Sequence, residues 1–155
     1  MADRVPATIG KYRIERELGR GASGVVYLGL DGLRGRKVAV KQMHAHLLAE
    51  PAQAARHRRQ LQSEAALAAR LRHPNIVPVY RADEIGGFAF FAMGFVDGET
   101  LGERIRDRGA LPVSEVVRVL REVAWALAYA HARGIVHRDV KPDNILLERS
   151  SGRAS

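Results

Sequence analysis

The chain has no cysteine among its 155 residues. That excludes disulfides and thiolate metal centres and fits a reducing, cytoplasmic location. Aromatic residues make up only 6%, with one tryptophan, which leaves few platforms on which unpaired bases could stack. Long hydrophobic runs are absent. The longest apolar stretch, Phe88 to Val96, is far too short to cross a bilayer, and the opening MADRVPATIG lacks the apolar core of a secretory signal. Acid is scarce relative to base: 17 Asp and Glu stand against 25 Lys and Arg, for a net charge of +8. A basic balance of this size raises the question of nucleic acid or anionic lipid. The bases are scattered, however, at Arg56, Arg58 and Arg59, at Arg70 and Arg72, and at Arg104, Arg106 and Arg108, with no aromatic residues interleaved. They read as solvated helix faces. No nucleic-acid partner and no membrane segment are expected.

What is present is a globular composition, 46% hydrophobic and 27% charged, at a length that suits one ordinary domain. Residues 1–10 read as a loose leader. Alternation at Tyr12, Ile14 and Leu18 marks a first strand, Val25 to Leu28 a second and Lys37 to Lys41 a third, with turns at Gly19 to Gly24 and at Asp31-Gly32 and Gly35. Pro51 opens a helical stretch to about Arg70. His73-Pro74-Asn75 breaks it, and Ile76 to Tyr80 and Phe88 to Met93 follow as two more strands around Gly86-Gly87. The pattern then turns helical. Thr100-Leu101-Gly102-Glu103 has capping-box spacing, which predicts a short helix from Leu101 that stops at Gly109. A longer helix is predicted from near Pro112 to about Arg133, its apolar stripe at Val116, Leu120, Val123, Leu127 and His131, with Gly134 at its end.

Three constellations carry chemistry. Gly19-Arg20-Gly21-Ala22-Ser23-Gly24 has the G-x-G-x-x-G spacing, which dinucleotide folds also use. A dinucleotide turn must lead into a helix, whereas Val25-Val26-Tyr27 reads as strand, so this loop is a hairpin tip. Glycines there let the backbone approach phosphate oxygens and offer N–H donors. Lys41 ends the apolar strand Val38-Ala39-Val40. Glu64 lies in line with Leu61, Ala68 and Leu71 on the apolar face of the following helix. A carboxylate on an inward face needs a partner, and Lys41 is the natural one; the pair would fix the ammonium against nucleotide phosphates. Finally, His137-Arg138-Asp139-Val140-Lys141-Pro142-Asp143-Asn144 is closed by the short strand Ile145-Leu146-Leu147. Asp139 and Asn144 have the H-R-D-x-x-x-x-N spacing of a phosphotransfer loop. Asp139 would orient an acceptor hydroxyl and take its proton, Lys141 would neutralise the transferring phosphoryl group, and Asn144 would offer Mg2+ a hard oxygen.

Taken in order, GRGASGVV, VAVK, Glu64 and HRDVKPDN resemble four motifs of the protein kinase domain, of the eukaryotic-like serine/threonine type found in bacteria, over roughly residues 10–149. The resemblance implies an α+β fold. Its N-lobe, a five-stranded antiparallel sheet plus one long helix, would occupy residues 11–93. A hinge would follow at 94–99. Residues 100–149 would form the first helices and catalytic loop of an incomplete helical C-lobe, with a tail at 150–155. It also implies ATP and Mg2+, and a protein substrate bearing serine or threonine hydroxyls. Asp139, Lys141, Lys41 and Glu64 would be catalytic and Asn144 metal-binding. Gly19, Gly21 and Gly24 would cover the phosphates; Leu18, Val26, Ala39 and Leu146 would sandwich the adenine; Met93 would be the gatekeeper; the backbone of Gly94, Phe95 and Val96 would meet the adenine edge. His137 would belong to the structural core of the loop, and Arg138 resembles the arginine that docks a phosphorylated activation loop.

Two departures from the pattern stand out. Gly94 occupies a position where the family often has Glu. The family's D-F-G segment, activation loop and A-P-E segment would lie beyond Ser155, so an incomplete copy with impaired activity is expected. Without the D-F-G aspartate's hold on the metal, the expected loss of rate is on the order of a thousandfold or more. The alternative is a non-catalytic, pseudokinase-like module that binds nucleotide or partners. A small-molecule phosphotransferase of related fold is disfavoured by Lys141 within HRDVKPDN.

Overall fold

The computed structural model describes residues 4–21, 24–44 and 51–155 and, within 51–61, the side chains of 55, 56, 59 and 60. Ala22 and Ser23 of the glycine loop, and the side chain of Leu61, lie outside the described residues. The chain gathers into two units, one of Met1–Arg70 with Pro78–Phe95, the other of Leu71–Val77 with Val96–Ser155.

The first unit is built on a sheet. Its strands are β1 (Thr8–Ile9), β2 (Tyr12–Arg20), β3 (Gly24–Asp31), β4 (Arg36–Met43), β5 (Val79–Ile85) and β6 (Phe88–Gly94), joined antiparallel in the order β1-β2-β3-β4-β6-β5. The sheet is six-stranded, where five strands were expected. The added strand comes from the leader, in which Thr8 and Ile9 pair with Arg13 and Tyr12. The alternation of residue types makes the core. Tyr12 and Ile14, Val25 and Tyr27, Val38 and Val40, and Phe90 and Ala92 are all buried in one cluster with Ile9, as the period of two on a pleated sheet requires. Tyr12 meets Phe90 edge to face at 6.4 Å.

The β3–β4 turn is held by Asp31. Its buried carboxylate accepts N–H bonds from Leu33 (3.2 Å) and Arg34 (3.4 Å) and faces Lys11 Nζ at 3.3 Å. Burial works against the charge, but the Lys11 ammonium and the two turn amides outweigh it and hold the carboxyl below its ordinary pKa. The fourth expected strand, from Ile76, instead starts at Val79. Helix α1 (Pro51–Ala68) begins at the expected proline and packs against β5.

The second unit contains β7 (Gly98–Thr100), α2 (Leu101–Arg108), α3 (Val113–His131), a 3-10 turn at Pro142–Asn144, and β8 (Leu146–Glu148), with β7 and β8 paired antiparallel. The predicted capping box is present in full. Thr100 Oγ1 accepts from Glu103 N (3.0 Å), Glu103 Oε2 accepts from Thr100 N (2.8 Å), and Gly109 ends the helix at φ 74°. The stripe of α3 differs from the expected one. Val119, Ala126 and Ala130 are buried, with Val123 packed on the Val119–Leu147–Ala154 cluster, whereas Val116, Leu120 and His131 are exposed. Opposite the polar face of Ser114, Glu115, Arg118, Arg121 and Glu122, the apolar face of the helix is broad, so more than one stripe fits its sequence and packing selects one. Residues 150–155, expected as a tail, return along β8: Leu146 N bonds Ser155 O (2.8 Å) and Ser155 N bonds Leu146 O (3.0 Å).

Candidate active site

In the sheet unit the glycine loop is the hairpin tip that the sequence predicts, since β2 runs into it, β3 runs out of it, and Gly19 pairs with Val26. Gly21 N bonds Gly24 O at 2.9 Å and closes the tip. The three glycines are not equivalent. A side chain on Gly19 or Gly21 would meet nothing within 4 Å. A Cβ on Gly24 would instead run into the main chain of β4, 2.9 Å from the Gln42 carbonyl carbon and 3.1 Å from Met43 Cα. Gly24 thus lets two backbones approach, and only the first two glycines border open space. His44, which the sequence reading did not single out, places Nε2 3.0 Å from Gly21 O.

Cross-strand pairing arranges the remaining candidates of this unit. Val26, Lys41 and Phe91 form one row across β3, β4 and β6, and Leu28, Ala39 and Met93 form the next. Directly paired residues share a face. Val26, Ala39, Lys41 and Met93 therefore lie together on the face opposite the Val38–Val40–Phe90 core. Leu18 is an exposed residue of β2, beside a register shift between Glu17 and Gly19. Gly94 ends β6, and its N–H is already bonded to Pro78 O at 2.8 Å. The Pro78 ring explains the glycine there, because a Cβ would fall 2.9 Å from Pro78 Cδ. Phe95 closes this unit and Val96 opens the next stretch of the other.

Glu64 is not where the sequence placed it. It is exposed, and its Oε1 accepts from Gln60 Nε2 at 3.0 Å. Among the described residues no ion pair joins it to Lys41. The reason lies in helix rotation: α1 buries Ala65, and one residue back along a helix is about 100° around it.

In the helical unit the structure brings Asp139, Lys141 and Asn144 together. Asn144 Nδ2 donates to both the main-chain oxygen (2.8 Å) and the carboxylate (3.0 Å) of Asp139, and Lys141 Nζ stands 3.6 Å from Asp139 Oδ2. His137 Nδ1 accepts the Asp139 N–H at 3.1 Å, but the residue is exposed rather than part of a buried core. Between them Arg138 is at φ 66°, the left-handed region, and is the only described non-glycine residue found there. An L-residue pays about 1–2 kcal/mol for that conformation, and such strain gathers where a loop must aim particular side chains. The Pro142–Asn144 turn is closed by Asn144 N to Lys141 O (2.9 Å), and Leu101 N bonds Ile145 O (2.7 Å). Leu146 pairs with Thr100 at the start of β8. Asp143, which the sequence reading gave no role, accepts from Arg106 Nη1 at 3.0 Å. Among the described residues no group of three or more His, Cys, Asp or Glu side chains could hold a metal by itself, and no helix is long and apolar enough to cross a membrane.

Comparison with known proteins gives these motifs their family. A family model of the protein kinase domain matches residues 12–153. The serine/threonine-protein kinase Pkn1 of Myxococcus xanthus is 43% identical over 94% of this chain and 20% of its own length. A probable serine/threonine-protein kinase, pknA2 of Bifidobacterium longum, is 39% identical over 95% of this chain and 20% of its own. PknE of Mycobacterium tuberculosis is 40% identical over 89% and 24%. Among solved structures, the PknI kinase domain of Mycobacterium tuberculosis superposes with a TM-score of 0.82 at 37% identity, over 95% of this chain and 58% of that one. The chain therefore belongs to the protein kinase domain family. It spans about a fifth to a quarter of the length of the curated relatives it matches. ATP and Mg2+ are the general phosphate donor and metal of that family.

Proposed function

We propose that this chain carries the nucleotide-binding and catalytic-loop portion of an ATP-dependent protein serine/threonine kinase. The observation that bears most of the weight is the Asp139 cluster. The carboxylate is about two-thirds exposed and so open to an incoming hydroxyl, it is oriented by Asn144, and it has an ammonium 3.6 Å away. Asp139 accepts the hydroxyl proton as the oxygen attacks the terminal phosphorus of ATP and the bond from that phosphorus to the bridging oxygen breaks, releasing ADP. Lys141 offsets the charge on the phosphoryl group being transferred. In the sheet unit, Gly19 and Gly21 present main chain to phosphates, Lys41 contacts them, and Val26, Ala39 and Met93 form an apolar floor for the adenine. The Asn144 amide nitrogen faces Asp139, and its Oδ1 has no protein partner among the described residues. It is a single hard oxygen donor, and Asp139 stays free to act as the base. That fits Mg2+, which takes one or two protein oxygens and completes its shell with phosphate and water. Bound there, the metal would neutralise phosphate charge.

The test is Mg2+-dependent transfer of labelled phosphate from ATP to a generic basic protein. Asp139→Asn is expected to lower the rate about 10²- to 10⁴-fold with no change in the melt. Incorporation that survives both Asp139→Asn and Lys41→Ala would remove the proposal. A second reading, a nucleotide-binding module without turnover, is favoured by one observation: Glu64 bonds Gln60 and leaves Lys41 without its expected carboxylate. Saturable ATP binding with no incorporation under any divalent metal would select it.

A further inference from the structure

We propose that Glu122 and Asn75 are positioning residues for phosphotransfer: by gripping the two main-chain groups of Ala154 they fix β8 and, through it, the end of the loop that carries Asn144. This deepens the kinase reading above and rests on it for the chemistry, though not for the geometry.

Ala154 is completely buried, so its main-chain N–H and C=O must find partners inside the protein. The strand pairing does not supply them. The bonds between β8 and the returning segment are Leu146 N to Ser155 O (2.8 Å), Ser155 N to Leu146 O (3.0 Å), Glu148 N to Arg153 O (2.9 Å) and Gly152 N to Glu148 O (2.7 Å), which skip Ala154. Its groups face the outer edge of the ribbon, where another strand would pair in a larger sheet. Two side chains take that place. Ala154 N donates to Glu122 Oε2 of α3 at 2.8 Å, and Ala154 O accepts from the buried Asn75 Nδ2 at 2.8 Å. Glu122 is itself held by Arg118 Nη1 (3.2 Å to Oε2), which also donates to Gly152 O at 2.7 Å. One turn of α3 thereby grips the returning strand at two points.

The consequence reaches the catalytic loop because β8 starts two residues after Asn144. On its other side the same loop end is fixed by Leu101 N to Ile145 O (2.7 Å). Asn144, whose amide aligns Asp139, thus lies beside a ribbon whose free edge is set by Glu122 and Asn75. If these two residues only stabilised the fold, their loss would lower stability and leave the Asn144–Asp139 contact unchanged in the molecules that remain folded.

The experiment uses the whole chain and two readouts. The first is the Asn144 side-chain amide pair in a proton–nitrogen correlation spectrum, assigned by its disappearance in Asn144→Ala. The second is phosphate transfer from ATP, resolved into kcat and KM. Glu122→Leu removes the acceptor. Asn75→Asp keeps the size of the side chain and replaces the donor with a carboxylate that faces a carbonyl. Both are expected to move the Asn144 signals and to lower kcat about tenfold or more while KM for ATP stays within about twofold. Glu122→Gln keeps an acceptor oxygen and is expected to leave the Asn144 signals in place and restore kcat. Should Glu122→Leu fail to fold, Asn75→Asp carries the test. Asn144 signals unmoved in a folded Asn75→Asp chain would overturn the proposal. Signals that move in a chain that transfers no phosphate would uphold the positioning and count against the kinase reading.

Discussion

The sheet unit and the helical unit use their apolar residues in opposite ways. In the first, Tyr12, Phe90, Val38 and Val40 are among the most deeply buried side chains of the chain and belong to one cluster fed by five strands. In the second, the buried cluster is Val119, Leu147 and Ala154, while Val113, Val117, Leu120 and Trp125 of α3 lie exposed. The polar chemistry divides the same way. Candidate residues of the sheet unit sit on paired strands and owe their positions to register. Those of the helical unit sit on an irregular loop and owe theirs to side-chain hydrogen bonds such as Asn144 to Asp139. Stability concentrated in one unit and proton chemistry in the other should therefore be separable by mutation.

The largest effect should come from the centre of the sheet. Phe90→Ala removes a ring that meets Tyr12 edge to face and packs with Val38 and Val40. It is expected to cost about 3–5 kcal/mol, counting lost transfer energy and the cavity left behind. Denaturant unfolding measures this. A loss under about 1 kcal/mol would mean that the sheet core is not where stability resides, and the comparison would fail.

Acid should sharpen it. Asp31 and Asp83 both lie in the sheet unit, and both have pKa values lowered on folding. For Asp31, the Lys11 ammonium and turn amides prevail over burial; for Asp83, hydrogen bonding from Arg81 comes first, then the Glu84 amide. A carboxylate with a lowered folded pKa stabilises the fold above its unfolded value, near 4. That contribution is lost as pH falls through the folded value. Stability should therefore decline from about pH 4 downward. Asp31→Asn, which keeps an oxygen for the turn amides, should make the decline shallower. Amide exchange in the β3–β4 hairpin should accelerate before the fluorescence of Trp125, the single tryptophan, changes. Parallel acid curves for Asp31→Asn and the unaltered chain would show that this carboxylate does not couple pH to folding.

Local chemistry was the part legible in advance. Thr100, Glu103 and Gly109 act on amides within a few positions, so their motif located α2 closely. The strands around the glycine loop followed from alternation, and the HRDVKPDN cluster from spacing. Relations that depend on distant packing were not legible. β1 is a two-residue pairing with no periodicity to detect. Glu64 falls at helical spacing in line with Leu61, Ala68 and Leu71, but the helix turns Ala65 inward instead. The bonds His44–Gly21, Glu122–Ala154 and Asn75–Ala154 span 23, 32 and 79 positions. Each joins an unremarkable polar residue to a main-chain atom, and main chain carries no sequence signal.

The smallest expected effect decides the register of α3. Val119 and Leu120 are neighbours in sequence and, at about 100° per residue, project from different sides of the helix. Val119 is 3% exposed and Leu120 63%. Sequence periodicity favours a stripe through Leu120 and Val123; the structure keeps Val123 inward but packs it with Val119, not Leu120, against Leu147. Val119→Ala is expected to cost about 1–2 kcal/mol, a large share of what burying a valine contributes. Leu120→Lys exchanges two residues of similar helix propensity at a site already in water, and is expected to change stability by less than about 0.5 kcal/mol. Because the two substitutions share one helix, any general weakening of α3 would appear in both, and only their difference reports the face that packs. A penalty for Leu120→Lys equal to or above that for Val119→Ala would mean that the Leu120 face is covered in solution, and the contrast between an inward-packed sheet and an outward-facing helix would no longer hold.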